Sequence, residues 1–229
     1  LVVYRPLARE APPKVLPVRW VEGLLLAGVM LVTIFSRFYM IGQIPYGIEG
    51  DEAKWTIEVV EVMLDHRHVI QSEYHYTTQP GSFYMQAPFH WLFGPSILAA
   101  RVAVAFYSVL ATLAFYWLLR ELYGPSLALL GTLLLAVSIV DVSASRLALV
   151  ESHIKLWALL GLALLVRGLR VRQAAYTLGG GIALALGLLT YDTFMPLVFV
   201  ALIWAVIWLA ARRAPLKAWV TQLAALLLP

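Results

Sequence analysis

Apolar residues recur along this chain in runs long enough to cross a bilayer, separated by short polar joints and by one long polar stretch. A hydrocarbon core of about 30 Å takes about 20 predominantly apolar residues in a helix. That template predicts spans at approximately Trp20 to Ile41, Ser96 to Leu119, Ser126 to Val142, Glu151 to Val166, Ala174 to Tyr191 and Thr193 to Ala211. A seventh begins near Trp219. Gly124-Pro125 separates the second from the third, because proline disfavours helix at the residue before it, and Gly179-Gly180-Gly181 gives the fifth a face for close packing. The predicted class is an all-α integral membrane protein, a polytopic helical bundle.

The stretch 42–95 between the first two spans is too polar to cross the membrane and too long for an ordinary connection. Within it Ala53, Ile57, Val60 and Leu64 recur at helical spacing, predicting an amphipathic helix over about Asp51 to Asp65 along the interface. Tyr76 to Gly81 reads as a turn, and Ser82 to Trp91 as a second short interfacial helix broken by Pro88. Tyr74, Tyr76, Phe83, Tyr84, Phe89, Trp91 and Phe93 suit a membrane-interface belt, and one or two of them a contact with sugar or prenyl chain.

Composition agrees with this picture: of 229 residues 62% are apolar and 13% charged, with a mean hydropathy of +0.82. The absence of cysteine excludes disulfides and thiolate metal sites, so any divalent ion would need carboxylate or imidazole ligands. The spacing Asp65-His66-Arg67-His68, with His75 nearby, matches no metal template. Residues 1–18 form a basic, Pro-rich tail ahead of the first span, which reads as a signal anchor, and the ends at Leu1 and Pro229 read as cuts in a longer protein.

Charge adds orientation, because Lys and Arg concentrate in cytoplasmic loops. Eleven of the 17 basic residues (Arg5, Arg9, Lys14, Arg19, Arg120, Arg167, Arg170, Arg172, Arg212, Arg213 and Lys217) fall on the tail's side of the membrane, with only Glu10, Glu22 and Glu121 among the acids. The other ten acids and all five histidines fall on the opposite, external side. Candidate chemistry therefore belongs there.

The acidic pair Asp51 and Glu52 stands at the first turn of the predicted loop helix. Acids in a first turn are favoured by the helix dipole and by capping; alternatively, they hold an acceptor hydroxyl or a metal ion. Glu151 opens the fourth span at the same boundary, where a salt bridge to Arg146 competes with a functional role. Arg101, just inside the second span, suits phosphate recognition through its bidentate fork, or snorkels to headgroups. Arg37, Asp141, Tyr191 and Asp192 mark further span ends on that side. Charges from five helix ends converging on one leaflet favour a functional cavity over scattered ion pairs.

In order along the chain, Arg37, Asp51-Glu52-Ala53, Gln79-Pro80-Gly81, Leu92-Phe93-Gly94, Ala100-Arg101 and Ser145-Arg146 with Glu151 resemble the N-terminal half of GT-C glycosyltransferases. The resemblance is to family 39, the protein O-mannosyltransferase and aminoarabinose-transferase-like group, and it covers about Val18 to Leu209. It implies a GT-C module over 19–229 and inverting transfer of a sugar from a polyprenyl-phosphate donor to an acceptor hydroxyl on protein, lipid or glycan. It also implies a multi-pass protein of a bacterial or archaeal plasma membrane with a cytoplasmic N-terminus and no nucleic-acid partner. By that resemblance Asp51 is the general base; Glu52 and Glu151 orient the acceptor or hold a divalent ion, the only cofactor in view; and Arg37, Arg101, Arg146, Tyr76 and Gln79 meet carrier phosphate or sugar. Relatives with a Lys-Pro-Pro-Leu run carry Lys where this chain has Gln79, and Thr190-Tyr191 stands where others have Thr-Lys. A transporter or flippase of lipid-linked substrate and a non-catalytic scaffold are the other readings. Charges at one face rather than at the midplane, without an inverted repeat, speak against transport.

Overall fold

A computed structural model describes residues 19–64 and 79–228. Expectations resting on the basic tail, on Tyr76 and on His66, His68 and His75 lie outside the described residues. Among the described residues the regular structure is helical: α1 (Arg19–Phe38), α2 (Gly50–Leu64), α3 (Gly81–Phe93), α4 (Ile97–Tyr123), α5 (Pro125–Val137), α6 (Ile139–Ala144), α7 (Glu151–Val171), α8 (Ala174–Leu188), α9 (Met195–Ala211) and α10 (Leu216–Leu227), with a 3-10 turn at Asp192–Phe194 before α9. Three segments, Arg19–Phe38, Ile97–Tyr123 and Asp192–Ala211, are long and apolar enough to cross a bilayer by themselves. The chain is a polytopic helical membrane protein.

Helix α7 is central, packed against α4 on one side and α8 on the other; α1 and α5 flank α4, and α10 flanks α8. Its main apolar core joins Leu165 and Leu169 to Leu184, Phe194, Ala201, Ala205, Leu209 and Leu226. Opposite charges fasten the end of the bundle remote from Asp51, where Arg120 pairs with Glu22 and Arg167 with Glu121.

The second and fourth spans run on to Tyr123 and Val171 and the first stops at Phe38; three further differences have a visible reason. The third span ends at Val137 rather than Val142, because Ser138 turns extended and its hydroxyl accepts the Asp141 N–H to start α6. The break frees the Ala136 carbonyl, which accepts from Arg37 Nη1 at 3.2 Å. The fifth span stops at Leu188 rather than Tyr191, because the 189–190 backbone turns to accept the N–H groups of Gly81 (2.7 Å, from Leu189) and Gln79 (3.2 Å, from Thr190). Pro88 does not break α3. It lies on the exposed face with Tyr84, the residue whose carbonyl it leaves without a helical partner, so the ring does not meet the core.

The expected loop helix forms within a residue of its predicted bounds, but its buried side holds Glu52, Trp55, Thr56 and Val59 while Ile57 is exposed. Trp55 and Val59 pack on Phe83 of α3 and on Val150, just ahead of α7. Ile57 of the apolar stripe read from the sequence thus faces away from the protein, and α2 docks through a face that carries the carboxylates of Glu52 and Glu58.

Helices α7 and α8 approach backbone to backbone at Gly161 and Gly180. A Cβ on Gly180 would lie 3.0 Å from the Gly161 carbonyl and 3.0 Å from the Leu165 nitrogen. Gly180→Val is expected to force the two helices apart at about 1–3 kcal/mol, lowering the thermal midpoint by roughly 2–10 °C for a protein of this size. Thermal unfolding in detergent measures it, and an unchanged midpoint would mean that the contact relaxes freely.

Candidate functional site

The N-terminus of α2 has its own cap, and Asp51 does not supply it. Glu49 Oε2 accepts from the backbone N–H of Asp51 (2.8 Å) and of Glu52 (3.2 Å), while Glu52 Oε2 accepts from the Glu49 N–H (3.3 Å). This is the reciprocal pattern of a capping box, three residues apart. Asp51 is left half exposed, with Lys54 Nζ 3.5 Å from Oδ1.

Glu52, one residue on, points the other way and is fully buried. Its carboxylate takes a bidentate fork from Arg101, Nε to Oε1 at 2.7 Å and Nη2 to Oε2 at 2.8 Å, and the Ala148 N–H at 2.9 Å. Burial pushes this carboxyl up, but the Arg101 hydrogen bonds, the Ala148 N–H, the Arg101 charge and the Glu49 N–H together outweigh it and hold the group below the usual carboxylate range. The other donors of Arg101 reach the carbonyls of Pro45 (3.2 Å) and Gly47 (2.8 Å).

Arg146 does similar work beside it. Its guanidinium donates to the carbonyls of Ser36 (2.8 Å), Arg37 (3.4 Å), Tyr39 (2.6 Å) and Ile44 (3.0 Å), closing the C-terminus of α1 with a cation, the sign that end of a helix favours. Two arginines thus hold the irregular backbone that leads from α1 to Asp51. Gln79, from the turn before α3, donates Nε2 to Asp192 Oδ1 at 2.5 Å and ties that turn to the α8–α9 corner.

Glu151 opens α7, exposed, and lies within electrostatic reach of Asp51 and Glu49. These three acids rim the site. Among the described residues no three His, Cys, Asp or Glu side chains converge as a metal set.

A second group joins Arg37 and Asp141, both marked in the sequence, to Ser108 and Lys155, which the sequence motifs did not single out. Arg37, fully buried, pairs with Asp141 and donates Nε to Ser108 Oγ at 2.9 Å; Lys155 pairs with the other oxygen of Asp141 and reaches Ser108 Oγ at 3.1 Å. The available signal was spacing, because Lys155 follows Glu151 by four residues and so shares its face of α7.

The sequence profile of the dolichyl-phosphate-mannose-protein mannosyltransferase family matches residues 77–228. Among solved structures, ArnT from Cupriavidus metallidurans bound to undecaprenyl phosphate aligns with a TM-score of 0.66 over 90% of this chain, at 18% identity. The chain spans about 40% of that protein's length. Comparison with curated proteins gives no match.

Removing one partner of the Arg101–Glu52 pair leaves the other charge buried and unopposed, at about 3–5 kcal/mol. Arg101→Met is expected to destabilise the protein on that scale, and the double variant with Glu52→Met to recover part of it, in denaturation followed in detergent. Because the folded-state carboxyl of Glu52 is depressed, its contribution is complete above about pH 4.3, the unfolded value, and is lost as pH falls through the lower folded one. Glu52→Gln should flatten that acid limb; an unaltered limb would remove Glu52 as its source.

Proposed function

Because the chain belongs to the dolichyl-phosphate-mannose-protein mannosyltransferase family, we propose that it forms the catalytic face of a membrane glycosyltransferase. The enzyme moves a sugar from a polyprenyl-phosphate donor to an acceptor hydroxyl on the external side of the membrane. The observation that carries the reading is the division of labour between adjacent carboxylates: Glu49 and Glu52 cap α2 while Asp51 stands half exposed at its first turn.

In this reaction the acceptor oxygen attacks the anomeric carbon on the face opposite the phosphate, its proton passes to the Asp51 carboxylate, and the bond from the anomeric carbon to the phosphate oxygen breaks. The products are an inverted glycoside and the carrier phosphate. A phosphate leaves without a general acid where positive charge steadies it. Glu151, close enough to sense the charge of Asp51, orients the acceptor. Glu52, Arg101 and Arg146 are positioning residues in this reading, because their polar atoms are engaged by one another and by the backbone that presents Asp51. The ArnT structure, which holds undecaprenyl phosphate, supports a polyprenyl carrier.

Asp51→Asn in the full-length protein should lower transfer from a labelled polyprenyl-phosphate sugar on the order of 10²–10⁴-fold, the usual contribution of a general base. Protein level and thermal midpoint should stay near wild type, since the residue is half exposed. Near-normal transfer by a well-expressed variant would sink the base assignment, and no transfer by the wild type from any polyprenyl-phosphate sugar would sink the enzyme reading.

A further inference from the structure

The cluster beneath the rim is out of charge balance. Arg37 and Lys155 both pair with Asp141, and among the described residues no other acid acts on either of them. Two cations therefore share one anion within a helical membrane protein, where an unbalanced charge is costly and usually marks a functional contact.

The surplus sits on Lys155 rather than Arg37. Arg37 is fully enclosed and donates to Ser108, Asp141, Ser36 and the carbonyls of Thr33 and Ala136. Lys155 uses two of its three N–H donors, on Asp141 and Ser108, and its side chain is 21% exposed. It is thus the cation of the cluster with both a donor to spare and an open side.

Its position gives the surplus a use. Glu151 stands four residues earlier on the same face of α7 and belongs to the acidic rim with Asp51 and Glu49, so Lys155 lies one helical turn, about 6 Å, deeper into the bundle. Negative groups face the rim and a net positive group lies below it. Gln79, for its part, is held by Asp192.

We propose that Lys155, steadied by Asp141 and Ser108 and backed by Arg37, binds a lipid-borne phosphate, that of the polyprenyl carrier. This rests on the glycosyltransferase reading and names the group in this chain that meets the leaving phosphate. The phosphate then supplies a counter-charge beyond that of Asp141 and takes the donor that Asp141 and Ser108 leave.

The test measures binding of undecaprenyl phosphate to the full-length protein in nanodiscs, without turnover, for wild type, Lys155→Gln, Lys155→Arg and Asp51→Asn. Lys155→Gln should weaken binding roughly tenfold or more, the effect of losing one charge-assisted hydrogen bond. Its thermal midpoint without ligand should equal or exceed that of wild type, because the variant cluster is neutral. Lys155→Arg should restore most of the binding, and Asp51→Asn should retain it. Undecaprenyl phosphate binding to Lys155→Gln as tightly as to wild type would overturn the proposal, as would equal stabilisation of wild type by phosphatidylglycerol. A lower midpoint with unchanged binding would make Lys155 purely structural. Wild type that transfers sugar while Lys155→Gln binds normally would fail this inference alone; wild type that neither binds nor transfers would fail the glycosyltransferase reading as well.

Discussion

The buried pair of Arg101 with Glu52 is the joint on which the Asp51 end of the molecule depends. Between α1 and α2 the chain runs through irregular backbone whose carbonyls find no partner in a helix, and an unpaired buried polar group costs free energy comparable to a lost hydrogen bond. Arg101 satisfies Pro45 and Gly47 while its fork grips Glu52, and Glu52 in turn accepts from Ala148, so α4, the α1–α2 link and the segment before α7 meet at one carboxylate. Arg146, from that last segment, completes the arrangement by taking the carbonyls at the end of α1. The loop is ordered by cations drawn from other helices and needs little regular structure of its own.

That arrangement leaves the charges in two groups. Asp51, Glu49 and Glu151 stand together at the start of α2 and α7, while Arg37, Arg101 and Lys155 are engaged by Glu52 and Asp141, the acids that pair with them among the described residues. In a low-dielectric setting such a separation is maintained only by enforced contacts, and here each of these cations is held by at least two. A donor with an anionic group and an acceptor with a reacting hydroxyl would meet groups of opposite charge there.

Much of this is legible in the sequence, and the rest is hidden for identifiable reasons. Hydrophobic runs give the spans, because length and apolarity are local quantities, and Gly124-Pro125 gives the α4–α5 break, where Gly124 takes φ +86° and Pro125 opens the next helix. The pairings are not legible. Glu52 meets Arg101 across 49 residues and Arg37 meets Asp141 across 104, and nothing in either local pattern names the partner. The sequence offers Arg101 for phosphate by its fork, and Arg146 by the family resemblance; in the structure their donors meet a carboxylate and backbone carbonyls. The stop of α8 at Leu188 is hidden in the same way, since it depends on the N–H groups of Gln79 and Gly81, about a hundred residues upstream.

Asp51 and Glu52 show how neighbouring carboxylates acquire different fates. Consecutive residues on a helix project about 100° apart, so docking α2 by one side can bury Glu52 and leave Asp51 half exposed. The longer Glu side chain reaches both the cap N–H and the Arg101 fork. With cap and anchor supplied by Glu49 and Glu52, Asp51 is held in register by contacts it does not itself make. A carboxylate half exposed at a helix start whose cap and anchor come from its neighbours stands where an acceptor hydroxyl can reach it, which is the placement the proposed general base requires.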